Sequence, residues 1–137
     1  MDDALRELVS GWLAKASVDQ KAAERLEPAG GEEDYDPAFY DAAAFHLQQA
    51  AEKTIKAYLA RHSVSFKKTH HLDQLLSRAA GVDAGFGSLD DAAEALAPFA
   101  VEIRYPGDWS ELTAEEYLEA KHAATGIITF VMQRLDE

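Results

Sequence analysis

Apolar residues recur every three or four positions through most of the chain, which is the spacing of one face of an α-helix. In the first such segment, from about Asp3 to Leu26, the apolar stripe consists of Leu5, Leu8, Val9, Trp12, Leu13, Ala16 and Ala23. No segment shows the sustained apolar–polar alternation of a half-buried strand. The pattern therefore predicts an all-α protein.

A second helix is predicted to begin at Asp36-Pro37 and to continue to about His62, because Asp is a favoured N-cap and Pro is favoured in the first turn. Its apolar stripe consists of Ala44, Leu47, Ala51, Ile55 and Tyr58. A separate polar face carries His46, Gln49, Lys53 and Lys56. Glu52 and Lys56 are spaced i, i+4, which is typical of an exposed helix pair that contributes about 0.3 kcal/mol.

Capping residues divide the second half of the chain. Thr69 is expected to cap a short third helix that ends near Gly81. Two capping boxes, Ser88 to Asp91 and Thr113 to Glu116, are expected to open a fourth helix and a last one. Pro98 is expected to bend or delay the fourth helix.

The last helix is predicted to end near Leu135, and Gly126 in its middle suggests close contact with a neighbouring helix. The prediction is one domain over residues 1–137, an up-and-down bundle of four to five helices.

Composition narrows the class of protein. The 137 residues are 47% hydrophobic, as in folded domains, and include no cysteine, so disulfides and thiolate chemistry are excluded. The first ten residues are polar and acidic, with no signal-peptide pattern. No apolar run approaches the ~20 residues that span a bilayer. We expect a cytoplasmic protein with no membrane association.

The charge is unevenly distributed. The formal net charge is −12, which opposes general binding of nucleic acid. Between Lys53 and Arg78, however, six basic residues stand against one acidic residue, a local net charge of +5. This stretch predicts either an anion-binding edge or a solvated basic turn.

Three sequence blocks carry a family resemblance. They are AFHLQQAAEKTIKAYLARH from Ala44, KTHHLDQLL from Lys68 and IRYPGDW from Ile103. In this order, ahead of a final amphipathic helix, they resemble the HEPN domain of small stand-alone prokaryotic proteins, over about Trp12 to Leu135.

The resemblance implies a helical bundle similar to the C-terminal domain of kanamycin nucleotidyltransferase, and frequent homodimers. It also implies a minimal nucleotidyltransferase as partner, in a toxin–antitoxin-like pair, and nucleotide binding.

Many other HEPN proteins are metal-independent ribonucleases, whose sequence motif is an Arg followed by four to six residues and then a His. After Arg104 the corresponding positions hold Trp109, Ser110 and Glu111, and the other arginines fail the same test. We therefore expect no catalytic residues of this type.

The predicted ligand-binding residues combine cations with groups that can bond to or stack on a base. They are His46, Lys53, Lys67, His70, Arg104 and Tyr105. His70 is expected at the start of the third helix, where its imidazole can accept from backbone N–H groups and where anions are favoured. His70 and His71 point about 100° apart on a helix, so they do not form an i, i+4 metal pair.

No metal site and no cofactor is predicted. Three functions remain open from the sequence. The first is a non-catalytic binding module for a nucleotide or RNA, or for a nucleotidyltransferase partner. The second is a ribonuclease with a departed motif, using Arg104 with His46 or His122. The third is a purely structural interaction protein.

Overall fold

A computed structural model describes residues 1–30, 34–101 and 111–136, and this part of the chain contains five α-helices and no strand. The helices are α1 (Asp3–Leu26), α2 (Ala38–Arg61), α3 (Leu72–Ala80), α4 (Asp90–Leu96) and α5 (Ala114–Leu135). Short 3-10 segments span Ala84–Leu89 and Ala97–Phe99. The all-α bundle predicted from the sequence is confirmed.

The central element of the bundle is α2, which packs against α1, α5 and α3. The predicted apolar stripe of α2 is buried. Alanines that point in other directions, such as Ala43, Ala50 and Ala57, are fully buried too. Their small side chains let neighbouring helices approach α2 from several sides. As a consequence, the polar face of α2 also lies largely inside the protein.

The helices α1 and α2 run antiparallel. Asp19 in the second half of α1 contacts His46 and Lys53, whereas Trp12, earlier in α1, contacts Lys56, later in α2. The order of contacts is thus reversed between the two helices. This arrangement brings the end of α2 and the turn that follows it next to the first half of α1.

Two of the predicted capping motifs give opposite results. Thr113 and Glu116 form the expected capping box at the start of α5. The box predicted at Ser88 is wrong, because a 3-10 turn precedes α4 and the Ser88 hydroxyl donates to the carbonyl of Gly85. Pro98 lies in a second 3-10 turn, so α4 ends at Leu96 instead of bending.

Two predictions of burial are also wrong. Gly126 is exposed, and a side chain added there would meet no described residue within 4 Å, so no close contact with another described helix explains this glycine. Leu8 is 52% exposed although it falls on the predicted stripe of α1. The physical reason is that only part of the α1 stripe faces α2.

A Schellman motif ends α2. The backbone N–H of Val64 donates to the carbonyl of Leu59, and that of Ser63 donates to Ala60. Ser63 has φ of 54°, the left-handed conformation that glycine adopts without steric cost. The chain therefore accepts backbone strain at the exact point where it leaves α2 for the basic turn.

We predict that Ser63→Gly stabilises the protein by about 0.5–1 kcal/mol, because glycine relieves the left-handed strain. Urea unfolding measures the change. Ser65→Gly is the control, since Ser65 does not have a positive φ, and it should destabilise the protein or leave it unchanged. Equal effects of the two substitutions would contradict the prediction.

The start of α5 is fastened to the end of α1 by a buried tyrosine. The Tyr117 hydroxyl donates to Glu27, and Lys121 forms an ion pair with the same carboxylate at 2.8 Å. The Tyr117 ring stacks on Tyr40 of α2. Burial, together with the hydrogen bond to Glu27, raises the pKa of Tyr117 above its ordinary value.

This raised pKa predicts a loss of stability at alkaline pH. Tyrosine in the unfolded chain ionises near pH ~10, whereas the folded protein resists ionisation of Tyr117. The contribution of the hydroxyl is thus fully present below about pH 10 and is lost as pH rises further. In urea unfolding at neutral pH, the free energy of unfolding of the wild type should exceed that of Tyr117→Phe by about 1 kcal/mol. A difference that stays constant to about pH 11 would count against this assignment.

Candidate functional site

Two of the predicted ligand residues share one carboxylate inside the bundle. His46 Nδ1 lies 2.8 Å from Asp19 Oδ1, and Lys53 Nζ lies 2.5 Å from Asp19 Oδ2. Asp19 is almost fully buried between α1 and α2, whereas His46 and Lys53 are partly exposed. The structure therefore brings His46 and Lys53 together, but through an internal partner that neutralises the lysine.

Asp19 was missed by the sequence analysis, although a signal existed. It lies three residues after Ala16 and four before Ala23, on the buried stripe of α1. A carboxylate at such a position costs free energy unless it is paired. Its place in the helical period could have predicted a cationic partner on the helix that packs against α1.

A second internal cluster surrounds Glu52, which is only 2% exposed. Its carboxylate accepts from Lys56 Nζ at 2.9 Å and lies 3.0 Å from His70 Nδ1. Gln48 Nε2 lies 3.4 Å from Glu52 and donates to the carbonyl of His70 at 3.2 Å. The prediction of an exposed Glu52–Lys56 pair is therefore wrong, because Lys56 is also buried.

Aromatic rings cover the lysine of this cluster. Lys56 Nζ lies 5.3 Å from the centre of the Trp12 ring and 5.8 Å from that of Phe66. The two rings meet edge to face, with centroids 6.3 Å apart. A cation over such rings gains electrostatic attraction from their π-electrons. Lys56 thus joins α1, α2 and the turn after α2.

The turn between α2 and α3 is consequently held at two points. Phe66 fixes its first part to Trp12, and His70 fixes its second part to Glu52 and Gln48. Lys67 and Lys68 lie between these two anchors and are exposed. Because the backbone on either side is anchored, the two lysines are presented at defined positions on the surface.

The expected cap of α3 is not observed. His71 is the N-cap residue and its side chain makes no capping hydrogen bond. The hydroxyl of Thr69 accepts instead from the backbone N–H of His71 within the turn. His70 does not accept from the helix start, because its imidazole is directed to Glu52.

A groove of about 510 Å³ opens beside this turn. Lys67 and Thr69 line it from the turn, and Ser77 and Arg78 line it from α3. Asp73 and Gln74 complete its polar lining. Two cations thus face one carboxylate, and neither Lys67 nor Arg78 has an ion-pair partner among the residues that the structure describes.

The groove offers the chemistry of an oxyanion site. A lysine ammonium and an arginine fork can both donate to phosphate, and two hydroxyls add neutral donors. The volume is within the range of small-molecule sites, which is roughly 300–1,000 Å³. The sequence did not single out Ser77, Arg78 and Gln74 as groove residues, although their i, i+3, i+4 spacing places them on one face of a helix.

The six predicted ligand residues thus fall into separate places. His46 and Lys53 meet at Asp19, His70 belongs to the Glu52 cluster, and Lys67 lines the groove. Arg104 and Tyr105 lie outside the described residues. The ligand-binding role of all six stays a prediction.

Two further properties concern the described residues 1–30, 34–101 and 111–136. They contain no cluster of three or more His, Asp or Glu side chains that could hold a metal ion. None of their helices has an apolar stretch that would span a bilayer.

Comparison with known protein families supplies the identification. The model of the HEPN domain matches residues 9–135, nearly the whole chain. The chain belongs to the HEPN domain family. No curated protein and no solved structure matches it.

The structure shows where two of the three sequence blocks lie, and the third, from Ile103, lies outside the described residues. In this HEPN domain the first block forms most of the central helix α2, including Glu52, Lys53 and Lys56. The second block forms the turn with His70 and most of α3. The two blocks therefore meet in the Glu52 cluster, where His70 contacts Glu52 and Gln48.

We predict that Glu52→Leu and Lys56→Met each destabilise the protein by about 3 kcal/mol, because each leaves one buried charge without its partner. The double variant should lose clearly less stability than either single variant, since no unpaired charge remains in it. Urea unfolding of the four proteins forms a double-mutant cycle. Losses of only about 0.3 kcal/mol for the single variants would instead indicate a surface pair.

Proposed function

We propose that this HEPN domain is a non-catalytic binding module that takes the phosphate groups of a nucleotide in the groove between the α2–α3 turn and α3. One observation carries the proposal. Lys67 and Arg78 face the same groove without ion-pair partners in the described part of the chain, while Lys53 and Lys56 are engaged internally.

The positioning of the two cations supports a phosphate ligand. Lys67 is adjacent to Phe66, whose ring packs on Trp12, so the backbone that carries the lysine is anchored. Arg78 projects from α3, whose apolar residues Leu72, Leu75 and Leu76 are buried. Little ordering is then required when an anion binds, which favours affinity.

Asp73 sets a limit on the ligand. Its carboxylate lines the same groove and repels an anion placed next to it. A ligand that places phosphate between Lys67 and Arg78 and turns a sugar hydroxyl or base donor toward Asp73 satisfies all three groups. This arrangement favours a nucleotide over a bare phosphate ion.

Thermal unfolding with added ligand tests the proposal. ATP should raise the melting temperature, because a ligand that binds only the folded state stabilises it. Adenosine should have no effect, and added salt should weaken the shift by screening. Lys67→Ala and Arg78→Ala should each lower the affinity about tenfold, by removing charge-assisted hydrogen bonds worth ~1.4 kcal/mol or more.

Lys68→Ala is the matched control. It removes the same charge from the adjacent residue, but Lys68 does not line the groove. The control should retain wild-type binding of ATP. Equal losses of ATP affinity for Lys67→Ala and Lys68→Ala would mean that general charge attracts the nucleotide. A melting temperature that does not change with ATP would exclude this site.

The homodimer and the minimal nucleotidyltransferase partner implied by the family also belong to this proposal. Light scattering of the isolated chain tests the homodimer. Light scattering of the chain co-expressed with a minimal nucleotidyltransferase from an adjacent gene tests the partner.

The ribonuclease alternative has weaker support. The Arg-to-His motif is absent from the sequence, and the candidate His46 is bound to Asp19. If the protein cleaved RNA without added metal and Arg104→Ala abolished the cleavage, the ribonuclease alternative would be supported.

A further inference from the structure

A second groove, separate from the proposed nucleotide site, lies between α4 and α5. It has a volume of about 620 Å³ and shares no lining residue with the groove beside Lys67. Ala92 and Ala95 of α4 face Leu118 and Ala123 of α5 across it. Leu118 is 59% exposed in the isolated chain, so an apolar side chain is left open to water.

The rim of this groove is acidic on both sides. Asp91 lies on the α4 side, and Glu115 and Glu119 lie on the α5 side. Within residues 1–30, 34–101 and 111–136, no lysine or arginine lines the groove, and His122 is the only other ionisable group in its lining. None of the three carboxylates has an ion-pair partner among the described residues.

These features define the chemistry of an occupant. A channel between two helices with an apolar floor accepts the apolar face of an amphipathic helix. Carboxylates on both walls then favour lysine or arginine on the flanks of that helix, and they disfavour acidic segments. We propose that the α4–α5 groove docks a basic amphipathic helix of a partner protein.

A second copy of this chain is a weaker candidate for the same groove. Each copy has a formal net charge of −12, which disfavours a contact between copies through an acidic surface such as this groove. In a symmetric contact the same acidic rim would also face itself. A basic helix meets neither obstacle and neutralises carboxylates that are otherwise unpaired.

Fluorescence anisotropy with a labelled synthetic peptide tests the proposal on the full chain. The probe is a helix-forming peptide with leucines on one face and lysines on the other. A peptide of the same composition in scrambled order has equal charge but no apolar face. The first peptide should bind at least about tenfold more tightly than the second, because only it can fill the apolar floor.

Variants locate the binding site. Leu118→Ala should weaken binding of the amphipathic peptide about fivefold, and Glu119→Lys about tenfold. Val18→Ala and Glu24→Lys make the same types of change on exposed positions of α1 and should leave binding unchanged. All four positions are exposed, so the variants should fold, and far-UV circular dichroism verifies this.

Three results would overturn the proposal. One is equal binding of the ordered and scrambled peptides. Another is an equal loss of peptide affinity in the α1 and α5 variants, which would assign the attraction to overall charge. The third is a change from dimer to monomer when Leu118→Ala is measured by light scattering, because the groove would then be a contact between two copies of the chain.

Discussion

The buried ion pair between Glu52 and Lys56 is the interaction on which the arrangement around α2 depends. Removing both charges from water is costly, so the pair is tolerated only with further partners. Gln48 and His70 provide polar contacts to Glu52, and Trp12 places its ring beside Lys56. Because these partners come from α1, α2 and the turn before α3, stabilising the pair also fixes how those three parts meet.

This constraint explains why an acidic protein concentrates basic residues in one stretch. Part of the positive charge is internal, since Lys53 is bound to Asp19 and Lys56 to Glu52. Another part lies outside, where Lys67 and Arg78 face the groove beside α3. The internal lysines organise the bundle, and the external cations remain available for an anion. The local charge of the sequence therefore overstates the charge that a ligand would meet.

The two grooves have opposite electrostatic character. The groove beside α3 combines cations with hydroxyl and amide groups, which suits a phosphate-bearing ligand. The groove between α4 and α5 combines an apolar floor with carboxylates, which suits a basic helix. A nucleotide would be repelled from the second groove, and a basic segment would find little to neutralise in the first. The two proposed ligands would thus be directed to different grooves by charge.

The sequence by itself determined a bundle of four to five helices, most of the helix ends and the family, because helical period, capping groups and short sequence blocks are local patterns. Thr113 and Glu116 formed the predicted capping box, whereas Ser88 did not, since a 3-10 turn before α4 redirected its hydroxyl. Only the tertiary structure decided that Glu52 is buried and that Asp19 binds His46 and Lys53. The reason is that helical period defines the faces of one helix, whereas burial depends on how many neighbours cover each face.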